Sequence, residues 1–200
     1  MSYPRINSEN AVLLLIDHQV GTAQWMHSGS VDAMKRNTIA LAKAAAATGM
    51  PVVLTSSQED QVQGLLFQEL ESILPKEYAT RIKRQGTVDC MADPEFNNAV
   101  KSTNRKTVIM AGLLTEVCVL YPAMSAKLEN YNVQVIADAS GSGTKAGDGI
   151  ALARMRQEGI HVGSTIQILS EMVEDWSTGP GPAILEVLGE LYAAIDAEGS

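Results

Sequence analysis

The order of apolar and helix-patterned segments in this 200-residue chain predicts an α/β fold: a three-layer α/β/α sandwich around a six-stranded, mainly parallel sheet. Two observations lead there. Short β-type runs alternate with longer helical segments along the chain, so successive strands pair in parallel through right-handed crossovers. The first run, "AVLLLID" (11–17), is apolar throughout rather than alternating, as in a strand covered on both faces. The common strand order 3-2-1-4-5-6 then sets the first and fourth strands side by side where the winding reverses. Functional loops in such sheets gather past the carboxyl ends of the strands, around that point.

The elements follow in order. After the first strand, "VDAMKRNTIALAKAAAATG" (31–49) places Val31, Met34, Leu41 and Ala45 roughly on one helical face, with Gly49 as its stop. "PVVLTSS" (51–57) is the second strand, opened by a proline where no ladder donor is needed. "LFQELESIL" (66–74) reads as a short helix ending at Pro75, and "ATRIKRQG" (79–86) as a weakly patterned third strand near a sheet edge. "PEFNNAVKST" (94–103) is a helix with proline in its first turn. "KTVIMAGL" (106–113), "VQVIADA" (133–139) and "HVGSTI" (161–166) supply three more strands, separated by helices at about 116–131 and 147–158. An amphipathic helix at about 181–195 closes a single domain spanning 1–200, and "DASGSGTKAGDG" (138–149) is its most flexible-looking loop.

Composition narrows the function. Apolar residues make up 46% and charged residues 19%, the balance of a soluble globule. A net charge of −8 argues against a nucleic-acid partner. Two cysteines, Cys90 and Cys118, form no disulfide framework and suit a reducing compartment. The polar start "MSYPRINSEN" has no signal-like apolar region, which predicts a cytoplasmic location. No apolar run approaches the roughly 20 residues of a membrane span. His18, His27 and His161 fall at no metal-ligand spacing, and no cofactor motif is present, so neither metal nor cofactor is expected. "GSGTKAG" (141–147) follows the fifth strand and lacks the ending of a phosphate loop.

The chemistry centres on "AGLLTEVCV" (111–119), where a strand-like run meets a helix-like one with a thiol at the joint. With Thr115 as N-cap, Cys118 stands at the third helical position, among backbone N–H groups that lack intrahelical partners. The positive helix end there favours thiolate, and free donors would hold an oxyanion. Asp17, ending the first strand, is the base across the crevice, and Lys83 and Arg84 are the candidate cations. The competing reading is a small buried hydrophobe at 118 and a structural carboxylate at 17. His18 and Gln19 are either pocket-lining or structural, as are Trp25 and Phe67; Cys90 is inert by default, and Trp176 packs at a helix end or a subunit contact.

The segments "LLLIDHQVG" (13–21), "GLLTEVCV" (112–119) and "VIADASGSGT" (135–144) resemble the isochorismatase-like cysteine hydrolases. "TEVCVLYPAMSA" (115–126), "RQGTVD" (84–89) and "EDW" (174–176) are most similar to the YcaC-like branch. The resemblance implies a nucleophile at Cys118, an aspartate at Asp17 and a third member at Arg84, with Lys83 its rival. Arginine cannot shuttle protons, so at that position it acts as an electrostatic anchor. The resemblance further implies a cis peptide at Leu114–Thr115 and an oxyanion hole from the backbone N–H groups of Leu114 and Cys118; Thr115 and Gln19 are the other candidates for the oxyanion hole or pocket. The expected reaction is hydrolysis of a small-molecule amide through an acyl-thioester, in a homo-oligomer that is octameric by resemblance. The zinc-binding D-x-H element of nicotinamidase relatives is missing from "TSSQEDQVQG" (55–64). The alternatives are a dormant scaffold or binding protein of the same fold, and a redox sensor using Cys90 as resolving thiol.

Overall fold

In the computed structural model, which describes residues 5–198, one sheet carries six strands in the order β3-β2-β1-β4-β5-β6. The strands are β1 (Ala11–Ile16), β2 (Val52–Ser57), β3 (Ile82–Arg84), β4 (Thr107–Gly112), β5 (Asn132–Ile136) and β6 (His161–Gly163). Every neighbouring pair is parallel. The predicted order and the three-layer architecture are both present.

The helices are α1 (Val31–Thr48), α2 (Gln68–Ile73), α3 (Pro75–Ala79), α4 (Pro94–Ser102), α5 (Leu120–Leu128), α6 (Lys145–Gln157), α7 (Thr165–Glu171) and α8 (Gly181–Glu198). Strand alternation divides the core into two. Leu13 and Leu15 of β1, with Ile109 and Ala111 of β4, pack beneath α1, α7 and α8. Val12, Leu14 and Ile16, with Val108 and Met110, face α4, α5 and α6. All six residues of β1 and all six of β4 are buried, which explains their unbroken apolar runs. Gly49 stops α1 with a left-handed φ of 68°, as its sequence position predicts. The apolar stripe of α8 (Ile184, Val187, Leu188, Leu191) serves this same core, leaving Leu185 and Tyr192 exposed. Among the described residues, no helix is long and apolar enough to cross a membrane.

Three expectations need correction. The strand predicted at 161–166 stops at Gly163, because Ser164 caps a helix, α7, by accepting from the Gln167 N–H. The segment 66–74 contains α2 only, and Pro75, rather than merely ending a helix, starts α3. The stretch 138–149 is no free loop. A 3-10 turn occupies Ala137–Ala139, Ser140 and Ser142 are buried, and Thr144 caps α6 by accepting from Gly147 N–H at 2.9 Å.

The segment after β1 is tied down from two sides. His18 Nε2 meets the Ala139 carbonyl at 2.9 Å, across from the end of β5, and its ring lies tilted against Phe67. Gln19 Nε2 donates to the carbonyls of Ser57 and Gly64, while its Oε1 accepts from Ser57 N–H at 2.9 Å. Both side chains are fully buried, so they brace backbone rather than face ligand.

Burial lowers the His18 pKa from 6.5 to about 4, against the opposing bond to Ala139. Between those values the unfolded chain binds a proton that the native one refuses, so stability is complete above pH 6.5 and lost as pH falls towards 4. A full loss is on the order of 3 kcal/mol. Urea unfolding of wild type and His18→Gln at pH 7 and pH 4.5 should show the steeper acid loss in wild type; equal losses would contradict it.

Candidate active site

Three side chains converge at the carboxyl ends of β1, β3 and β4. Asp17 follows β1 with a left-handed φ of 56°, a conformation aspartate tolerates better than bulkier residues and one that tends to persist at working sites. Its own N–H stays in the ladder, donating to Thr55 O at 3.0 Å, while the chain turns away. Gly112, the last residue of β4, sits so close to β1 that a Cβ there would lie 2.4 Å from the Ile16 carbonyl oxygen. The close approach of these two strands at the site therefore requires a glycine.

Strand parity decides between the two candidate cations. Ile82 and Arg84 point inward and Lys83 outward. Lys83 is 57% exposed and pairs with Glu59 at 3.4 Å, so the alternative third member is placed away from the site. The Arg84 side chain is fully buried. Its Nε donates to Thr55 Oγ1 at 3.0 Å, its Nη1 to the Thr87 carbonyl, and its Nη2 to both carboxylate oxygens of Asp17.

Cys118 arrives on a single π-helical turn, Thr115–Val119, ahead of α5. The sequence predicted an ordinary helix from 116. Pro122 explains the difference, since it has no N–H to give the carbonyl of Cys118 and cannot extend a regular ladder back through the turn. The N-cap is Leu114 rather than Thr115, and Cys118 is the fourth residue of the turn. The cis peptide lies at Leu113–Leu114, one bond earlier than expected. Leu113 still behaves as strand, donating to Ile16 O at 3.0 Å and bridging to Gly141, so the chain reverses just after it. Thr115 is buried, and its N–H donates to Gly141 O at 2.8 Å rather than facing the cavity.

The electrostatics also differ from expectation. Burial pushes the Cys118 thiol up to about 12, and the negative Asp17 carboxylate adds to this. Arg84 and the Leu114 N–H, which points at the sulfur, oppose the rise without cancelling it. Burial and Asp17 together thus outweigh the positive helix end, and the resting group is a thiol that donates to Asp17. Burial raises the Asp17 pKa too, opposed by Arg84 and by the thiol. Burial also works against the Arg84 charge, but Asp17 outweighs it and the guanidinium pKa rises. Cys90 is fully buried, and burial drives its thiol well above the usual range, which suits neither a nucleophile nor a resolving thiol.

A cavity of about 110 Å³ opens over this group, with Asp17 and Cys118 among its lining residues. Trp25, Leu113, Leu114 and Val117 give apolar walls, and Thr22, Ser57 and Gln63 bring polar atoms. Trp25 thus proves a pocket residue, whereas Phe67 is core and Gln19 is a brace. Thr22 and Gln63 were missed in the sequence, because no local pattern marks them. A larger cavity of about 570 Å³ lies beside Arg5–Glu9 and the segment before α8. It has no cysteine or histidine in its lining and includes none of the three converging residues. Among the described residues, no three His, Cys, Asp or Glu side chains are grouped so as to hold a metal ion.

The model of the isochorismatase domain matches residues 11–167. A protein of Escherichia coli named probable hydrolase YcaC is 34% identical over 174 residues, 87% of this chain and 83% of the relative. The structure of YcaC from Pseudomonas aeruginosa, with hexane-2,5-diol and covalent acrylamide, superposes with a TM-score of 0.88 at 33% identity, covering 100% of both chains. The E. coli YcaC structure, an octameric hydrolase of unknown specificity, gives 0.87 at 33% identity, covering 96% of this chain and 91% of that one. With the strand order, the position of the thiol and these matches in agreement, the chain belongs to the isochorismatase family of hydrolases, on its YcaC-like branch.

Proposed function

We propose that this hydrolase cleaves a small-molecule amide or related C–N bond with Cys118 as nucleophile and Asp17 as base. The observation that carries the reading is the thiol's position, between a buried carboxylate and the Leu114 N–H and open to the cavity. Cys118 Sγ attacks the amide carbonyl as its proton passes to Asp17, and the backbone N–H groups of Leu114 and Cys118 receive the oxyanion. Asp17 returns that proton to the nitrogen, the C–N bond breaks and ammonia or an amine leaves. Water then adds to the thioester, giving one proton to Asp17, which hands it to the departing sulfur. The acid is released and the thiol restored. Arg84 moves no proton itself; bonded to both carboxylate oxygens, it positions Asp17 and holds its charge.

The high thiol pKa fits this scheme, since the proton moves only when a carbonyl is there to be attacked. It equally favours a second reading, a dormant scaffold of the same fold, and turnover separates the two. The P. aeruginosa relative's covalent acrylamide agrees with a site that reacts with small molecules. By analogy with the octameric E. coli relative, we assign a homo-octamer, for which exposed Val62, Leu65 and Ile150 offer apolar contact surface.

Against a panel of short primary amides, Cys118→Ala should abolish ammonia release with its circular dichroism unchanged. Asp17→Asn should reduce kcat by about 10²–10⁴-fold. Turnover retained in Cys118→Ala would overturn the mechanism, and absence of turnover in wild type would favour the scaffold.

The active form pairs an ionised Asp17 with a protonated Cys118. Turnover should therefore rise with pH through a midpoint above 3.8, and the thiol, which keeps its proton until about 12, should add no second limb near neutrality. Replacing Asp17 by Asn removes the charge that helps raise the thiol. Thiolate absorbance at 240 nm should then appear at a pH lower by about one unit or more, even as turnover falls. An unchanged titration would show that Asp17 does not face the sulfur.

Arg84→Met leaves Asp17 buried without its partner. It should cost about 3 kcal/mol in urea unfolding and move the acid limb of turnover upward. A variant of wild-type stability and pH profile would remove Arg84 from the site.

A further inference from the structure

Pro122 denies the turn that carries Cys118 a regular ladder into α5, so the attitude of the turn over the crevice depends on what grips it from outside. The grip comes from the segment between β5 and α6. Thr115 N–H donates to Gly141 O at 2.8 Å, and Glu116 N–H to Ser142 Oγ at 3.3 Å. That segment is itself fixed to the sheet, since Ser140 Oγ accepts from Gly112 N–H at 3.0 Å and donates to Ile136 O at 2.9 Å. Among the side chains of the turn, Val117 and Cys118 line the cavity and Thr115 and Val119 are buried. Glu116 reaches α6.

The Glu116 carboxylate lies directly on Gly147, the third residue of α6. A Cβ at 147 would overlap Oε2 and fall 2.7 Å from Cδ. The first turn of the helix suits an anion. Thr144 takes the Gly147 N–H on Oγ1 and the Asp148 N–H on its carbonyl, while the N–H groups of Lys145 and Ala146 have no partner within the helix. Those donors and the helix dipole favour a carboxylate at this end. The glycine itself calls for a reason. Gly147 has no left-handed φ, and inside a helix glycine is less stable than alanine. The close approach of Glu116 supplies that reason, because any side chain at 147 would push the carboxylate off.

We propose that Glu116 is a positioning residue for Cys118: with its N–H on Ser142 and its carboxylate seated on α6 at Gly147, it holds the turn so that the sulfur stays between Asp17 and the Leu114 N–H. Glu116 is outside the cavity lining and acts through the turn. The proposal deepens the reading of Cys118 as nucleophile and rests on it for its bearing on catalysis, but its test needs no turnover. Once released from α6, the turn admits water to the sulfur, and the burial that keeps the thiol proton in place is lost in part. Thiolate, and alkylation with it, then increases at a fixed pH.

The test is iodoacetamide labelling of the full chain at about pH 8, followed by peptide mass so that Cys118 is read separately from Cys90. In each event Sγ displaces iodide from the CH2 group and the thiol proton passes to buffer. Glu116→Ala and Gly147→Ala should each speed labelling of Cys118 by about tenfold, the effect of about one pKa unit. Gly147→Ala keeps the carboxylate and only displaces it, so an increase shared by both variants does not come from a lost charge. The double variant should be no faster than either single one, since both substitutions remove the same contact. Cys90 is fully buried and reports opening of the whole fold, so its rate should stay at the wild-type value. Wild-type labelling of Cys118 in both single variants overturns the proposal. So do factors that multiply in the double variant, or a Cys90 rate that rises in step with that of Cys118. Ammonia release from short primary amides is read alongside. A wild-type protein that hydrolyses none removes the hydrolase reading and leaves the labelling result as it stands, whereas unchanged labelling with turnover intact removes only the role of Glu116.

Discussion

The ion pair of Arg84 with Asp17 is the constraint around which the site is organised. Two charges removed from water cost several kcal/mol each, and only close geometry with further hydrogen bonds offsets that. Here the further bonds come from Thr55 on β2 and the Thr87 carbonyl beyond β3. The pair spans three adjacent strands, since Asp17 follows β1, Thr55 lies on β2 and Arg84 ends β3. A three-residue edge strand has few ladder bonds of its own. Its last side chain reaches under β2 to the residue that leaves β1, which ties the edge to the centre of the sheet. The position of the base and the order of that half of the sheet therefore have one cause.

The thiol is the softer half of the arrangement. Burial and the facing carboxylate keep its proton in place, so the site holds a nucleophile that is latent between encounters. Thiolate is the form that peroxide attacks, and both cysteines are held away from it by burial. The site's reactivity is thus conditional on a bound electrophile, and oxidation has little to act on. This weighs against redox sensing.

What could be read in the sequence was what burial writes locally. β1 and β4 were legible because strands covered on both faces are apolar nearly throughout, and their adjacency followed from parallel winding. Asp17 and Cys118 stood at the ends of those two runs. The choice of Arg84 over Lys83 was not legible from periodicity, because a strand with three residues is too short to display its parity. The π turn was signalled only by Pro122, and α7 only by the Ser164-x-x-Gln167 capping pattern, both easily absorbed into longer neighbouring elements. Thr22 and Gln63 reach one cavity through the packing of two loops distant in sequence, and no short-range pattern encodes that. Gln19 shows the opposite hazard: a polar residue next to a reactive one whose side chain bonds entirely to backbone.

The π turn has a further consequence for how this segment tolerates change. A residue advances a regular helix by about 100°, so a widened turn sets the rotational phase of everything after it independently of what precedes it. Leu120, Ala123 and Ala126 keep their face of α5 against the sheet, while Cys118, just upstream, points into the crevice. In an unbroken helix those two directions would be locked together by pitch, and repacking one would swing the other. The widened turn adds a fixed offset between them, so one continuous segment serves both directions: α5 keeps its face on the sheet and the sulfur stays over the crevice.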